Sequence, residues 1–273
     1  MNSYVDLGTI KAPGGLNLTS TEDDSSLLMW ANTASRFIDA YTHRYFYCLE
    51  STKYFDGAST VLFLAEDVLS ITSLSLDVYG NKTYSTSMAS TDYERYPLTK
   101  LPTTYLKTAN NAKYTNFASG IRAGVKIAGV FGYGTGLTAT PYIDTGITGT
   151  VATAAGTLLT LSAGSIVQAG QTIRLESEQM YVSSAGPIVA TVIRGVNGTT
   201  AAAHAAAEIY IYQYHDSVVG AAMMQLSIWW ERRKSAYASK VGNTTTGEYE
   251  IYKGLDPTVK ALLDTGSLVR NPM

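Results

Sequence analysis

Only one cysteine, Cys48, occurs in 273 residues, so no intrachain disulfide or thiolate metal cluster can form, and Cys48 is expected to act as a small buried apolar residue. Charge is scarce too. Asp, Glu, Lys and Arg make up 15% of the chain, against about 25% in ordinary soluble domains. Such a surface suits burial in an assembly. The formal net charge of -2 has no basic excess, which argues against a protein that grips nucleic acid through many phosphate contacts. No run of eighteen apolar residues occurs, and the N-terminal MNSYVDLGTIKAPGG lacks the basic start and apolar stretch of a signal peptide. The expectation is a chain made and folded in the cytoplasm, with no membrane partner.

Chemistry-bearing constellations are equally sparse. His43, His204 and His215 lie far apart, with none of the spacing of HExxH or a similar ligand pair, so no metal site is expected. His43, beside Arg44 near a predicted helix end, reads as a cation answering the helix dipole. Gly134-Thr135-Gly136-Leu137-Thr138-Ala139 matches a GxGxxA fingerprint, but Pro141 follows at once and no amphipathic helix is predicted to receive a phosphate. No GxxxxGK loop and no GxSxG elbow is present, and no Ser/His/Asp arrangement can be placed. The chain is therefore expected to have no catalytic residue and no cofactor. Asn197-Gly198-Thr199 has the form of a glycosylation acceptor but, without secretion, reads as turn chemistry.

What the chain does have is apolar material at 45%, twenty tyrosines, and ample Thr, Ser, Gly and Ala. At this length it is expected to form one large domain or a core carrying a smaller inserted one. Ser20-Thr21 followed by Glu22, Asp23 and Asp24 predicts a helix start. Leu27, Leu28, Ala31, Ala34, Phe37, Ile38, Tyr41 and Tyr45 then recur at helical spacing over about 25 residues, or about 37 Å. TKYFDG, STVLFLAEDV and LSITSLSLDV read as short antiparallel strands, and VKIAGVFGYG as another. The intervening segment with Pro97 and Pro102 has little periodicity and predicts an extended surface arm.

From about 144 to 213 the texture changes to Thr, Gly, Ala and Val in glycine-bounded runs, which predicts a compact all-β unit. Within it, QTIRLESEQMYVSS alternates so as to expose Arg174, Glu176 and Glu178 and to bury Ile173, Leu175 and Met180. A second amphipathic helix begins at Asp216-Ser217, carrying Val219, Ala222, Met223, Leu226, Trp229, Trp230 and Arg233. SKVGNTTTGEYE reads as flexible, and Asp256-Pro257 starts a last helix that stops at Gly266. The fold expected from this pattern is α+β: a helical core with antiparallel strands over 1–143 and 214–273, interrupted by a small β domain over 144–213. Leu27, Leu28, Phe37, Ile38, Tyr41, Leu226 and Trp229 are the expected core. Tyr and Trp enrichment leaves a sugar-stacking platform as a second reading, although Trp30, Trp229 and Trp230 all fall within helical patterns.

The N-terminal third resembles the head-tail adaptor, or connector, proteins of tailed phages. The resemblance runs through Tyr4-Val5-Asp6-Leu7, Lys11 and LLMWANTASRFIDAYTHRYF, above all Ala34-Ser35-Arg36-Phe37-Ile38-Asp39 and Arg44-Tyr45-Phe46. It continues through Tyr54-Phe55-Asp56-Gly57, LFLAEDVLSITSLSLD, YERYPL and VKIAGVFGYG, and resumes in the second helix and GLDPTVKALLDTGSLVRNP. The order of the pieces carries it, over three quarters of the chain. The 144–213 insert departs from the simpler adaptors, while its IRLESEQMYV and RGVNGTTAAAH are similar to small β modules of various phage structural proteins. The resemblance implies a noncatalytic ring of copies, dodecameric in the family, docked beneath the portal protein in the virion neck, next to stopper or tail-tube proteins. DNA would pass through its channel without sequence-specific binding. The apolar set Leu255, Leu262, Leu263, Leu268 and Val269, with Arg270, is expected to dock on the portal. A carbohydrate-binding or fibre-associated phage module is the alternative.

Overall fold

A computed structural model describes residues 2–164, 166–233, 241–242, 249–250, 254–266 and 268–270. In chain order the first elements are α1 (Leu7–Lys11), α2 (Asp24–Thr42), β1 (Leu49–Phe55), β2 (Val61–Leu76), β3 (Thr86–Met88), β4 (Tyr93–Tyr96), β5 (Thr103–Thr108) and β6 (Val125–Phe131). Then come β7 (Tyr142–Val151), β8 (Leu158–Leu161), β9 (Thr172–Leu175), β10 (Glu178–Ala185), β11 (Val189–Ile193), β12 (His204–Tyr212) and α3 (Asp216–Arg233). Two short paired strands, β13 (Val241–Gly242) and β14 (Tyr249–Glu250), and α4 (Pro257–Thr265) complete the described elements. The rest of the SKVGNTTTGEYE segment lies outside the described residues.

The chain divides into two compact units. One comprises 1–43, 142–196 and 200–272; the other comprises 44–141 with 197–199. In the first unit six strands close into a barrel in the order β10-β11-β8-β7-β12-β9, so none of the six is left as an edge. Alternate residues point inward: Leu159 and Leu161, Ile173 and Leu175, Met180 and Val182, Ala190 and Val192 fill the interior. At Gly149 a Cβ would stand 2.7 Å from the Leu159 side chain and 2.9 Å from that of Ile209, so a larger residue there would have to push both side-chain ends aside.

The helices of this unit pack together and onto the barrel wall. α2 presents Leu27, Ala31, Ala34, Ser35 and Ile38 as its buried stripe, and α3 presents Val218, Ala221, Ala222, Gln225, Leu226 and Trp230. Trp30 meets Trp230 edge-on at 6.0 Å, and Arg233 pairs with Asp23 at 2.6 Å. The N-terminal strap is stitched to α2 by Tyr4 N–H on Ser35 Oγ (2.9 Å), by Arg36 on the Asn2 carbonyl (3.0 Å) and by the Tyr4 hydroxyl on Asp39. Burial raises the Asp39 pKa to about 6, against the opposing pull of Arg36 and the Tyr4 hydroxyl. Gly170 (φ +97°) lets the barrel approach closely, its would-be Cβ lying 3.1 Å from Leu28 and 3.2 Å from the Asp6 backbone.

The second unit is an antiparallel sheet in the order β1-β6-β2-β5-β4, with β3 on β2. Its core gathers Phe55, Leu62, Leu64, Leu74, Leu76, Leu106, Phe117, Val125, Ile127 and Phe131.

These findings correct the expected fold class. Strands hold 34% of the chain against 22% in helices, so the protein is mainly β and is not a helical core interrupted by an insert. The reason lies in what the helices bury. Each offers one narrow stripe, and part of α2 is spent on the barrel wall, whereas both β units enclose their own apolar residues. The segment expected as an extended arm supplies β3, β4 and β5, because Leu106 and Met88 alternate into the sheet core on runs too short to show a period. α2 is 19 residues long, shorter than its pattern predicts, because His43 adopts the left-handed conformation (φ +53°) that ends it.

Ile38→Ala is expected to cost about 2–5 kcal/mol, since its side chain is fully buried in this stripe. Phe37→Ala is expected to cost about 1 kcal/mol, since Phe37 is 42% exposed and keeps mainly its edge-on contact with Trp229 at 5.7 Å. Urea denaturation followed by tryptophan fluorescence measures both.

Candidate functional site

A tight set of ionisable groups lies at one end of the barrel, where β9 and β11 end and β10 and β12 begin. Leu175 pairs directly with Glu178 across the two-residue turn that joins β9 to β10. Residues opposite one another share a face, so the turn aims Glu178 into the interior with Met180 and Val182, and it is fully buried. Glu178 therefore does not lie exposed beside Arg174 and Glu176, as plain alternation through QTIRLESEQ predicts. The turn, with Glu176 at φ +52°, breaks the phase.

Five donors meet this carboxylate. Arg194 binds it in bidentate fashion, Nε on Oε1 at 2.8 Å and Nη2 on Oε2 at 2.6 Å. The backbone N–H groups of Gly195 (2.9 Å) and Ala202 (3.0 Å) donate to it, and His204 Nε2 stands 2.8 Å from Oε2. His204 Nδ1 reaches the exposed carboxylate of Glu176 at 3.0 Å. Arg194 also donates to the carbonyls of Gly156 (2.7 Å) and Thr153 (3.1 Å). Burial pushes the Glu178 pKa up, but Arg194, Ala202, His204 and Gly195 together outweigh it and hold the carboxyl at about 2.

This cluster can staple chain segments together. It is poorly built for acid–base chemistry, because Glu178 stays ionised, is fully buried and has its acceptor sites filled. It also gives a physical account of the RGVNGTTAAAH segment: Arg194 and His204 bracket a loop whose backbone at Gly195 and Ala202 turns onto the same carboxylate. Among the described residues no group of three or more His, Cys, Asp or Glu side chains is arranged to hold a metal ion. Gly134–Ala139 runs through bends into β7, with no helix to receive a phosphate.

A different kind of site lies on the second unit. On the outer face of β2, β5 and β4, Phe63 opposes Tyr105, and Tyr105 opposes Tyr96. Phe63 is 60% exposed, its ring 5.7 Å from Tyr105, while Tyr105 and Tyr96 stack at 4.9 Å with planes 7° apart. Lys107 lies 5.3 Å over Tyr96, and Tyr96 donates to Glu94 at 2.9 Å. Cross-strand aromatic pairs stabilise a sheet, and an exposed strip of them is suited to contact with a partner. Nothing along the chain announces it, since the three rings belong to separate strands and only their register brings them together.

Of the core residues expected from sequence, Leu27, Ile38 and Leu226 are fully buried, Leu28, Tyr41 and Trp229 partly so, and Phe37 lies at the surface. The C-terminal set expected to dock elsewhere is used inside its own unit. Leu255, Leu263 and Leu268 are buried, while Leu262, Val269 and Arg270 are half-buried. Leu262 reaches Gly220 of α3, and Arg270 N–H bonds the Thr42 carbonyl at 2.8 Å. Asp256 caps α4 on Thr258 N–H at 2.9 Å. The set was expected to dock because little chain follows to cover it; α3 and the end of α2, far earlier in sequence, cover it.

Glu178→Gln is expected to destabilise the barrel unit by about 3–5 kcal/mol near neutral pH, because Arg194 keeps its charge and loses its counter-ion. A depressed carboxyl pKa contributes stability above its ordinary value of 4.5 that is lost as pH falls toward 2. The difference between wild type and Glu178→Gln should therefore be constant above about pH 5 and shrink on acidification, as read from denaturation midpoints across pH. Leu263→Ala is expected to lower the same unit's stability by about 2–5 kcal/mol.

Comparison of the chain with protein-family models, with curated proteins and with solved structures finds no match.

Proposed function

We propose that this chain is a noncatalytic structural protein of a tailed-phage particle, forming a ring of its own copies between the portal and the tail, with the outgoing DNA passing through it. One observation carries this reading: among the described residues the exposed patches that assemble side chains into a surface are aromatic and aliphatic, while Glu178 and His204 at the centre of the ionisable cluster are buried. An enzyme needs the reverse, a reachable acid, base or nucleophile beside a pocket. The low charge content agrees with a surface meant for neighbours, and the resemblance of its segment order to that of head-tail adaptors supports a place in the neck.

The carbohydrate-binding alternative gains one specific feature, the exposed Phe63 strip. Its geometry is unfavourable, because Tyr96 and Tyr105 each turn one face to the other, while Lys107 lies over Tyr96 and Phe63 against Tyr105, which leaves Phe63 as the most open ring. The strip fits a protein neighbour better, with Phe63 as the projecting anchor.

Electron microscopy of purified particles is expected to place the chain in the neck as a symmetric ring, and its absence from mature particles would refute the reading. Phe63→Ala is expected to reduce incorporation into particles several-fold while leaving the fold intact. Retention on a glycan array that Phe63→Ala abolishes would favour the alternative.

A further inference from the structure

The barrel wall formed by β8 and β11 carries no charge. Residues 145–173 and 179–193 contain no Asp, Glu, Lys, Arg or His at all. On this wall the outward positions are Leu158 and Thr160 of β8 and Val189, Thr191 and Ile193 of β11, with Leu158 opposite Thr191 and Val189 opposite Thr160. Leu158 is 60% exposed, Ile193 41%, and the adjoining Ile188 59%. Exposed sheet faces of soluble proteins ordinarily carry charge that discourages association, and a contiguous uncharged aliphatic face marks a contact surface.

A second uncovered patch lies on the helical side of the same unit. Met29, Thr33 and Phe37 follow one another at four-residue steps along α2, with Met29 58% exposed and Phe37 set against the half-buried Trp229 of α3. The opposite face of α2 lies on the barrel: Asn32 donates to the Tyr181 hydroxyl of β10 at 3.0 Å, and Leu28 packs at Gly170. The neighbouring charges are already matched, Arg36 to Asp39 at 3.1 Å.

We propose that the Met29–Phe37–Trp229 stripe of one copy seats on the Leu158–Val189–Ile193 wall of the next. A copy of the chain is the occupant these patches fit. Each molecule carries both halves, neither half brings an unpaired charge into the contact, and laying α2 against the outside of the barrel is a packing this sequence already makes at Tyr181 of β10 and at Gly170 before β9. The wall two strands further round is uncovered. The two patches are different surfaces, so the contact is heterologous and propagates head to tail, closing into a ring or continuing as a filament. The assignment rests on the proposed ring of copies and names the surfaces that build it.

Cysteine cross-linking tests it, since the sole native cysteine, Cys48, is buried. The full chain carrying both Met29→Cys and Leu158→Cys is expected to give a ladder of disulfide-linked oligomers under mild oxidation. Each single variant alone should stay unlinked, and an equimolar mixture of the two should stop at dimers. Self-linking of either single variant would show a symmetric contact and overturn the proposal. Light scattering of the unsubstituted chain separates the two levels. Association without 29-to-158 linkage overturns the surface assignment alone, and a chain that stays monomeric up to millimolar concentration overturns both the assignment and the self-assembled ring. Leu158→Asp and Phe37→Asp give an independent check: each, with an unchanged circular dichroism spectrum, should abolish association, and unchanged association in both would also overturn the assignment.

Discussion

Glu178 holds a full negative charge inside a β-barrel, and the placement of the surrounding chain follows from keeping it there. Removing a carboxylate from water costs several kcal/mol, which a single ion pair seldom offsets. Here a bidentate guanidinium, an imidazole and two backbone N–H groups converge on it, and each comes from a different point in the chain between Arg194 and His204. A one-residue slip of β10 against β9 would turn Glu178 out of the barrel and leave Arg194 without its counter-ion, so the charge also fixes strand register. The loop between β11 and β12 then owes its course to this one acceptor more than to any packing of its own small residues.

Charge is used sparingly elsewhere and mostly in defined roles. Asp77 accepts from the backbone of Asn81 and Lys82, and Asp92 from Ala89 and Lys113, each anchoring a loop of the second unit. Lys53 bonds Glu66 at 2.6 Å, and the Tyr45 hydroxyl donates to the same carboxylate. Burial, reinforced by Glu66, pushes the Tyr45 pKa far upward, so this hydroxyl serves as a donor and does not ionise. With acidic and basic groups committed to loops and strand pairs, long stretches of wall remain neutral. Neutral walls are a liability for a solitary soluble protein and an asset for one that lives among copies and neighbours. The uncharged β8–β11 face and the Phe63 strip are two outcomes of the same economy of charge.

The helices contribute differently from the role their sequence pattern suggests. α2 has two working sides, one on the barrel and α3 and the other facing outward with Met29 and Phe37. A helix so placed packs on the barrel with one face and leaves another face open.

Local chemistry alone determined several features. The Asp256 cap, the Pro257 start and the Gly266 stop define α4; the spacing of Leu27, Ala31, Ala34 and Ile38 defines the buried stripe of α2; and the glycine-bounded Thr and Val runs announce short strands. These depend on neighbours within a few residues, so they can be read along the chain. Barrel closure, the inward turn of Glu178, its meeting with Arg194 and His204, the Phe63–Tyr105–Tyr96 strip and the covering of Leu263 and Leu268 were decided only in three dimensions. Each depends on register between strands, or on packing between segments, that are distant in sequence, and period-two alternation carries no information about which strand pairs with which or where a turn reverses the phase.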